Sequence, residues 1–202
     1  MQTRLLLISH PATRAMRVGA FPADDPLDPR ALDALRAWHG RGLIAAQGAQ
    51  AAQVFRSAAT CVRETAEALG LEAQIVPALS DADAGEWRGR RLHELAAAQP
   101  EALAAWIRSP DAAPPAGESF RAVLARVGAW LDALAPSSSA SLSPAGGMQV
   151  IALTHAVVMR AALIHVLGAP AESSGRIEIA PLSIVELRRS REGAWTWRPG
   201  AS

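Results

Sequence analysis

The chain has 202 residues, a formal net charge of +1 at pH 7, 50% hydrophobic residues and 19% charged residues. An apolar half excludes a disordered chain, which could not bury enough surface to offset its conformational entropy. The near-neutral balance argues against binding to nucleic acid or to an anionic membrane, partners that select a basic excess. A single cysteine excludes a disulfide framework and a cage built of cysteines alone.

At about 100–200 residues per domain, one domain over residues 1–202 is expected. The longest aliphatic run near the start, Leu5–Ile8, is too short for a signal-peptide core or a membrane span. A cytoplasmic protein is therefore expected.

Thr3–Ser9 reads as a buried strand, short and apolar, with turn chemistry following at Pro11. Residues 19–29 are rich in Gly, Pro and Asp and predict a loop. Leu32, Leu35 and Trp38 recur at helical spacing before Gly40, which predicts a short helix. Ala51–Phe55 is a candidate second strand, and Ser57 a candidate cap for a helix through Leu69, ended by Gly70. Ala73–Val76 predicts a third strand. Leu92–Ile107 predicts alanine-rich helix broken at Pro100.

After a loop at 108–117, Ser119–Leu134 predicts an amphipathic helix with Val123, Val127, Trp130 and Leu134 on one face. The Ser/Ala/Pro/Gly-rich stretch at about 135–147 predicts a flexible linker. Met148–Thr154 is a further buried strand, followed by a helix over Val157–Leu167 ended by Gly168. Arg176–Leu187 and Trp195–Arg198 flank Glu192-Gly193 and predict a terminal hairpin. Alternating strands and helices predict an α/β fold in three layers, with a mostly parallel central sheet and helices on both faces.

His10 and His155 follow the two most apolar strands. In open α/β sheets, ligands bind outside the carboxyl ends of the strands. Either histidine alone reads as a strand cap. As a pair in matched positions they read as a site.

Six segments around these residues resemble the histidine phosphatase superfamily, the phosphoglycerate-mutase-like proteins. Ile8-Ser9-His10-Pro11-Ala12-Thr13 is similar to its first-histidine motif, and Asp25-Pro26-Leu27 to its D-x-P-L-T loop. Arg63-Glu64-Thr65-Ala66-Glu67 is similar to its R-[QE]-T-A-E helix. Leu79–Gly89 is similar to its L-x-E-x-x-x-G-x-W-E-G segment. Pro115–Ser119 is similar to its P-x-G-E-S loop, and Thr154–Arg160 to its second-histidine motif. The likeness spans about the first 170 residues and is greatest to the small bacterial branch that includes α-ribazole-phosphate phosphatases.

The resemblance implies a phosphomonoesterase working through a phosphohistidine, with neither metal nor cofactor. His10 is then the nucleophile, Asp81 stands at the position of the acidic glutamate, and His155 stabilises the phosphoryl charge. Its motifs put Ser9, Thr13 and Cys61 around the bound phosphoryl group, and Arg14, Arg17 and the amide of Ala156 are this chain's own further candidates for binding it. It also implies a small helical cap over about residues 88–118 and, as partner, a small phosphorylated molecule or inorganic phosphate. Oligomeric state stays open, a homodimer included.

The residue types suit that chemistry. A neutral imidazole is a good nucleophile with a labile phosphoramidate, and a protonated carboxyl supplies the proton a leaving alkoxide needs.

The chain also departs from the family pattern. Ser9 and Cys61 stand where the family has two arginines of its phosphate pocket, Pro11 replaces a glycine, and Met16 an asparagine. Two lost hydrogen-bonded cations are worth about 3–6 kcal/mol, roughly 100- to 10,000-fold in rate. Arg14 or Arg17 is expected to restore part of the positive potential, with Arg56 and Arg63 as further candidates. Cys61 reads as a small residue filling the space of an arginine rather than as a nucleophile.

Two further readings compete with a phosphatase. One is a catalytically degenerate member that binds an anionic ligand or partner without phosphoryl transfer. The other, ranked last, makes His10, His155 and Asp81 ligands of a divalent metal.

Overall fold

Successive side chains of a strand point to opposite faces, so a continuous aliphatic run suits a strand covered on both sides. The computed structural model describes residues 2–38, 40, 42, 44, 53–134 and 147–199, and it shows this arrangement. Strand β1 (Gln2–Ser9) buries Leu5 and Leu7 in one core and Leu6 and Ile8 in another. Strand β4 (Gly147–Thr154) repeats the alternation, with Val150 and Ala152 in the first core and Ile151 and Leu153 in the second.

The sheet has six strands in the order β3-β2-β4-β1-β5-β6, where β2 is Gln53–Arg56, β3 Gln74–Ile75, β5 Ile184–Arg189 and β6 Trp195–Arg198. The first four run parallel. Strand β5 is antiparallel to β1, and β6 to β5. The expected three layers are present. Val123, Val127 and Leu131 of helix α6 (Phe120–Ala133) pack on one face beside Val158 and Met159 of α7 (Ala156–Leu167). Helix α3 (Thr60–Ala68) covers the other face with Val62 and Ala66.

Local chemistry sets most boundaries. Thr13 caps the short helix α1 (Arg14–Val18), and Asp28 accepts from the Ala31 amide to cap α2 (Pro29–Ala37). Helix α2 stops at Trp38, two residues before the expected Gly40. Helices α4 (Leu92–Ala98) and α5 (Pro100–Arg108) meet at the expected break, because proline cannot continue the preceding helix's hydrogen bonds. Their side chains Leu95 and Leu103 join Phe21, Trp87 and Trp106 in a third, separate apolar cluster. Trp87 is fully buried, and its indole N–H donates to Gln99 Oε1 at 2.8 Å.

Two expectations are corrected. Ser57 does not cap α3, which begins three residues later. The cap comes instead from Asp24, whose carboxylate accepts from the Thr60 amide at 2.7 Å and from the Thr60 hydroxyl at 2.8 Å. The terminal hairpin starts at Ile184 rather than Arg176. A short 3₁₀ helix occupies Ala171–Arg176, Pro181 has no N–H to give a ladder, and Leu182 has φ 60°. Residues 135–146, read as a flexible linker, lie outside the described residues, as do Ala51 and Ala52 of the second predicted strand.

Candidate active site

Parallel pairing puts Ser9 opposite Thr154, so the next residues, His10 and His155, leave the sheet side by side. The His10 amide donates to Thr154 O at 3.2 Å, and the Ser57 amide, at the end of β2, donates to Leu153 O at 3.1 Å. Three adjacent strand ends therefore deliver His10, His155 and Ser57 to one spot. The two imidazoles meet edge to face, with centroids 5.1 Å apart.

Each ring is oriented by a hydrogen bond. His10 Nδ1 lies 2.7 Å from Pro11 O. A carbonyl only accepts, so Nδ1 carries the proton and the lone pair sits on Nε2. His155 Nε2 is 3.0 Å from the Ser57 hydroxyl, which also accepts from the Ala59 amide. His155 Nδ1 is buried with no hydrogen-bond partner, and Asp81 Oδ2 lies 3.5 Å away.

Burial dominates the electrostatics. It lowers the His10 pKa, and the neighbouring His155 lowers it further. Burial, reinforced by Arg126, brings His155 down to about 4. Both rings are held neutral at pH 7. Burial pushes the Asp81 carboxyl up, although about a third of its side chain opens on the cleft. A carboxyl that favours its proton, beside an imidazole that favours its lone pair, is the division of labour of an acid and a nucleophile.

Asp81 is held by a frame distant in sequence. The Thr154 hydroxyl donates to Leu79 O at 2.7 Å, tying the loop to the end of β4. Arg126, on α6, donates to Ala78 O, Ser80 O and Asp81 O at 2.7–3.1 Å and pairs with Glu118. The Glu118 amide in turn donates to Asp83 O at 2.8 Å. Gly85 has φ +51°, and a Cβ there would lie 2.1 Å from Pro115 O, so only glycine lets the two loops approach.

These residues border a cleft of about 840 Å³. His10, Asp81, His155, Thr13, Cys61 and Ala156 line it; the other three expected residues do not. Ser9 is buried in a hydrogen-bonded position, donating to Ala180 O and accepting from the Ser183 amide, both at 2.9 Å. Arg14 is exposed on α1. Arg17 turns to Asp28 and donates to Ala12 O at 3.0 Å. The expected restoration of charge by Arg14 or Arg17 is thus corrected: both guanidinium groups lie off the cleft. Arg56 and Arg63 are likewise engaged elsewhere, with Ser57 O and with Glu67.

The arginines that do line the cleft, among the described residues, are Arg88 and Arg160. Arg88 pairs with Asp83, and Arg160 donates to Ile177 O at 2.8 Å. Five carboxylates line it too, those of Asp24, Asp25, Asp81, Asp83 and Glu118. Cys61 is buried, and its thiol is pushed up to about 12 by burial and by Asp81, so it is no thiolate nucleophile in this state.

Arg160 was readable as the last residue of the Thr154–Arg160 segment. Arg126 and Ser57 carried no local signal, because their roles depend on partners 45 to 98 residues away.

Comparison with known proteins agrees with this geometry. The family model described as "Histidine phosphatase superfamily (branch 1)" matches residues 5–198. A 132-residue stretch is 30% identical to a bifunctional protein of Mycobacterium tuberculosis and to an uncharacterized protein of Mycobacterium bovis, covering 62% of this chain and 35% of either relative. The chain thus spans about a third of the length of the curated relatives it matches.

Among solved structures, a mycobacterial glucosyl-3-phosphoglycerate phosphatase superposes with a TM-score of 0.80 at 20% identity, over 98% of this chain and 97% of that one. A putative alpha-ribazole-5'-P phosphatase of Escherichia coli gives 0.78 at 22% identity, over 97% and 94%. These likenesses show a shared fold.

Proposed function

Since the chain belongs to the histidine phosphatase superfamily, branch 1, we propose that it hydrolyses a small phosphomonoester through a phosphohistidine on His10. The observation that carries this reading is the His10 ring itself. Its Nδ1–H is tied to Pro11 O, which leaves the Nε2 lone pair free beside His155 and Asp81.

Nε2 attacks phosphorus in line with the ester oxygen. The P–O bond breaks as Asp81 gives its proton to the leaving alkoxide. Water then attacks the phosphohistidine, Asp81 takes a proton back, and phosphate leaves. His155 and the amide of Ala156, at the N-terminus of α7, face the developing negative charge. Thr13 and Cys61 border the phosphoryl group, and Arg160 and Arg88 supply the nearby positive charge.

A phosphorylated metabolite fits a cleft that also presents Phe21, Trp106 and Ile179 to the rest of the molecule. A glucosyl-3-phosphoglycerate phosphatase of the same fold has been solved with inorganic phosphate and with VO3, which supports a phosphoryl-sized ligand. We read helices α4 and α5, whose own apolar cluster supports it, as a cap over about residues 88–118 within a single domain. Among the described residues, no helix is long and apolar enough to cross a membrane, and the free thiol of Cys61 suits a reducing cytoplasm.

The test is hydrolysis of an aryl phosphate by metal-free protein. His10→Ala is expected to abolish it, and acid-labile, base-stable phosphate is expected on the wild type after rapid quenching. Turnover unchanged in His10→Ala overturns the reading.

One observation favours a degenerate, binding-only protein: five carboxylates and two engaged arginines line a cleft meant for an anion. No turnover across a phosphomonoester panel, with phosphate still bound, would establish that alternative.

A further inference from the structure

The residue at the lost arginine position is a soft ligand beside two imidazoles. One donor atom from each of His10, Cys61 and His155 lies within 4.8 Å of the other two. From these residues we infer a binding site for zinc or a similarly soft divalent ion, whose occupancy switches the nucleophile off.

Three independent features support it. First, the donor set is two imidazoles and a sulfur, the N/S combination zinc prefers and magnesium or calcium does not. Zinc bonds of about 2.0–2.3 Å in a tetrahedron separate ligand atoms by roughly 3.3–3.8 Å, so the trio closes with a shift of about 1 Å.

Second, His155 is 4% exposed and its Nδ1 has no hydrogen-bond partner. An unsatisfied buried nitrogen is costly, and a ligated ion is one way to satisfy it. The opposite nitrogen already has the Ser57 hydroxyl, an outer partner that can accept its N–H and so leave the Nδ1 lone pair for an ion. His10 is held likewise, Nδ1 on Pro11 O and Nε2 free.

Third, the cleft carries acids outside its ion pairs. Asp83 is matched by Arg88 and Glu118 by Arg126, which leaves Asp24 and Asp25 against Arg160, with Asp81 able to give up its proton to a bound ion's field. Asp81, 3.5 Å from His155 Nδ1, stands ready as a fourth ligand or as acceptor for a bound water.

On binding, the Cys61 thiol releases its proton to solvent and the thiolate ligates the ion, whose own charge offsets the burial of the anion. The Nε2 lone pair of His10 is then committed to metal. It cannot also attack phosphorus, so metal and phosphoryl transfer exclude each other. Inhibition, unlike binding, rests on the phosphohistidine reading.

The experiment is a cobalt(II) titration of chelator-stripped full-length protein, followed by zinc competition. It compares wild type, Cys61→Ser, Cys61→Ala and Asp81→Asn, each checked for folding by circular dichroism. Wild type and Asp81→Asn are expected to develop a thiolate-to-cobalt charge-transfer band that saturates at one equivalent. Both Cys61 variants are expected to lose it and to bind zinc more weakly by more than the roughly 10- to 100-fold that loss of an outer partner alone costs. Folded Cys61 variants that bind zinc as tightly as wild type, or no thiolate band in wild type, overturn the site.

In parallel, one equivalent of zinc is expected to stop aryl phosphate hydrolysis by wild type, reversibly with chelator, while Cys61→Ala keeps most of its own metal-free rate. Equal inhibition of both overturns the switch. If metal-free wild type has no turnover, the phosphatase reading falls, and the cobalt band alone decides the metal site.

Discussion

Asp81 supplies one carboxyl where the family motif has the longer glutamate, and its surroundings determine whether that shortening matters. Burial raises its pKa above the ordinary carboxyl value, and the His155 ring lies 3.5 Å from Oδ2, so the group holds its proton more tightly than a solvated aspartate and stands close to the site. An acid matters most when the leaving oxygen is basic. Asp81→Asn is therefore expected to lower kcat about 10²- to 10⁴-fold on an alkyl phosphate. On a nitrophenyl phosphate, whose leaving group departs without a proton, the loss should be far smaller. Kinetics on the two substrates check this, and equal losses would deny Asp81 the role of acid. Both histidines and Asp81 were legible because each sits in a motif with a fixed chemical reason. The cations were not. A sequence says that Ser9 and Cys61 are not arginine, but not which way Arg14, Arg17 or Arg160 turns. Arg17 turns to Asp28, a partner eleven positions away whose carboxylate also caps α2.

Elements place these residues, and the contacts that do so join distant segments. Arg126 shows this on α6. Its guanidinium bridges Glu118 to the carbonyls of residues 78, 80 and 81, so it is a positioning residue for the acid loop. Arg126→Met leaves Glu118 and three carbonyls without their donor. It is expected to cost about 1–3 kcal/mol of stability and to lower kcat more than it raises KM, because the acid drifts while the cleft remains. Urea melts and steady-state kinetics at a temperature where the variant is folded test both parts. A change confined to stability would remove the positioning role. Asp24 shows the same principle at the start of α3. That helix lacks a capping side chain of its own, and the sequence offered Ser57, which instead orients His155. Asp24→Ala is expected to cost about 1 kcal/mol and to lower Tm by about 2–4 °C, read by thermal melts. Most strands and helices were legible from apolar period together with Gly and Pro boundaries, but the short helix α1 and the start of β5 were not. Which carboxylate caps which helix was not, because a cap from 36 residues away leaves no local pattern.

At the scale of the whole molecule, the sheet joins the two ends of the chain. Strand β5 lies antiparallel on β1, with Glu186 opposite Leu6 in register. The hairpin was legible, but its docking beside the first strand was not, since no periodicity encodes which edge a hairpin joins. A charged contact seals that junction. Glu186 accepts from Arg4 at 2.8 Å and from Arg188 at 2.6 Å, and only 13% of its side chain is exposed. Burial alone would raise its pKa, but the two guanidinium contacts outweigh burial and hold it below the ordinary 4.5. A carboxylate with a depressed folded-state pKa adds stability that is present above its unfolded value and lost as pH falls through the folded one. Both arginines are partly exposed, so the contribution is discounted for solvent screening to about 1 kcal/mol. Glu186→Gln is therefore expected to lower the urea midpoint at pH 7. The gap should narrow as pH falls below 4.5 and close only once the depressed carboxylate of the folded wild type is protonated as well. Because the contact ties residue 4 to residue 186, its loss should also speed amide exchange in β5 and β6 before it is felt in β2. A stability difference that persists unchanged into acid would mean that the side chain acts through packing, and that the ion pair does not hold the edge of the sheet.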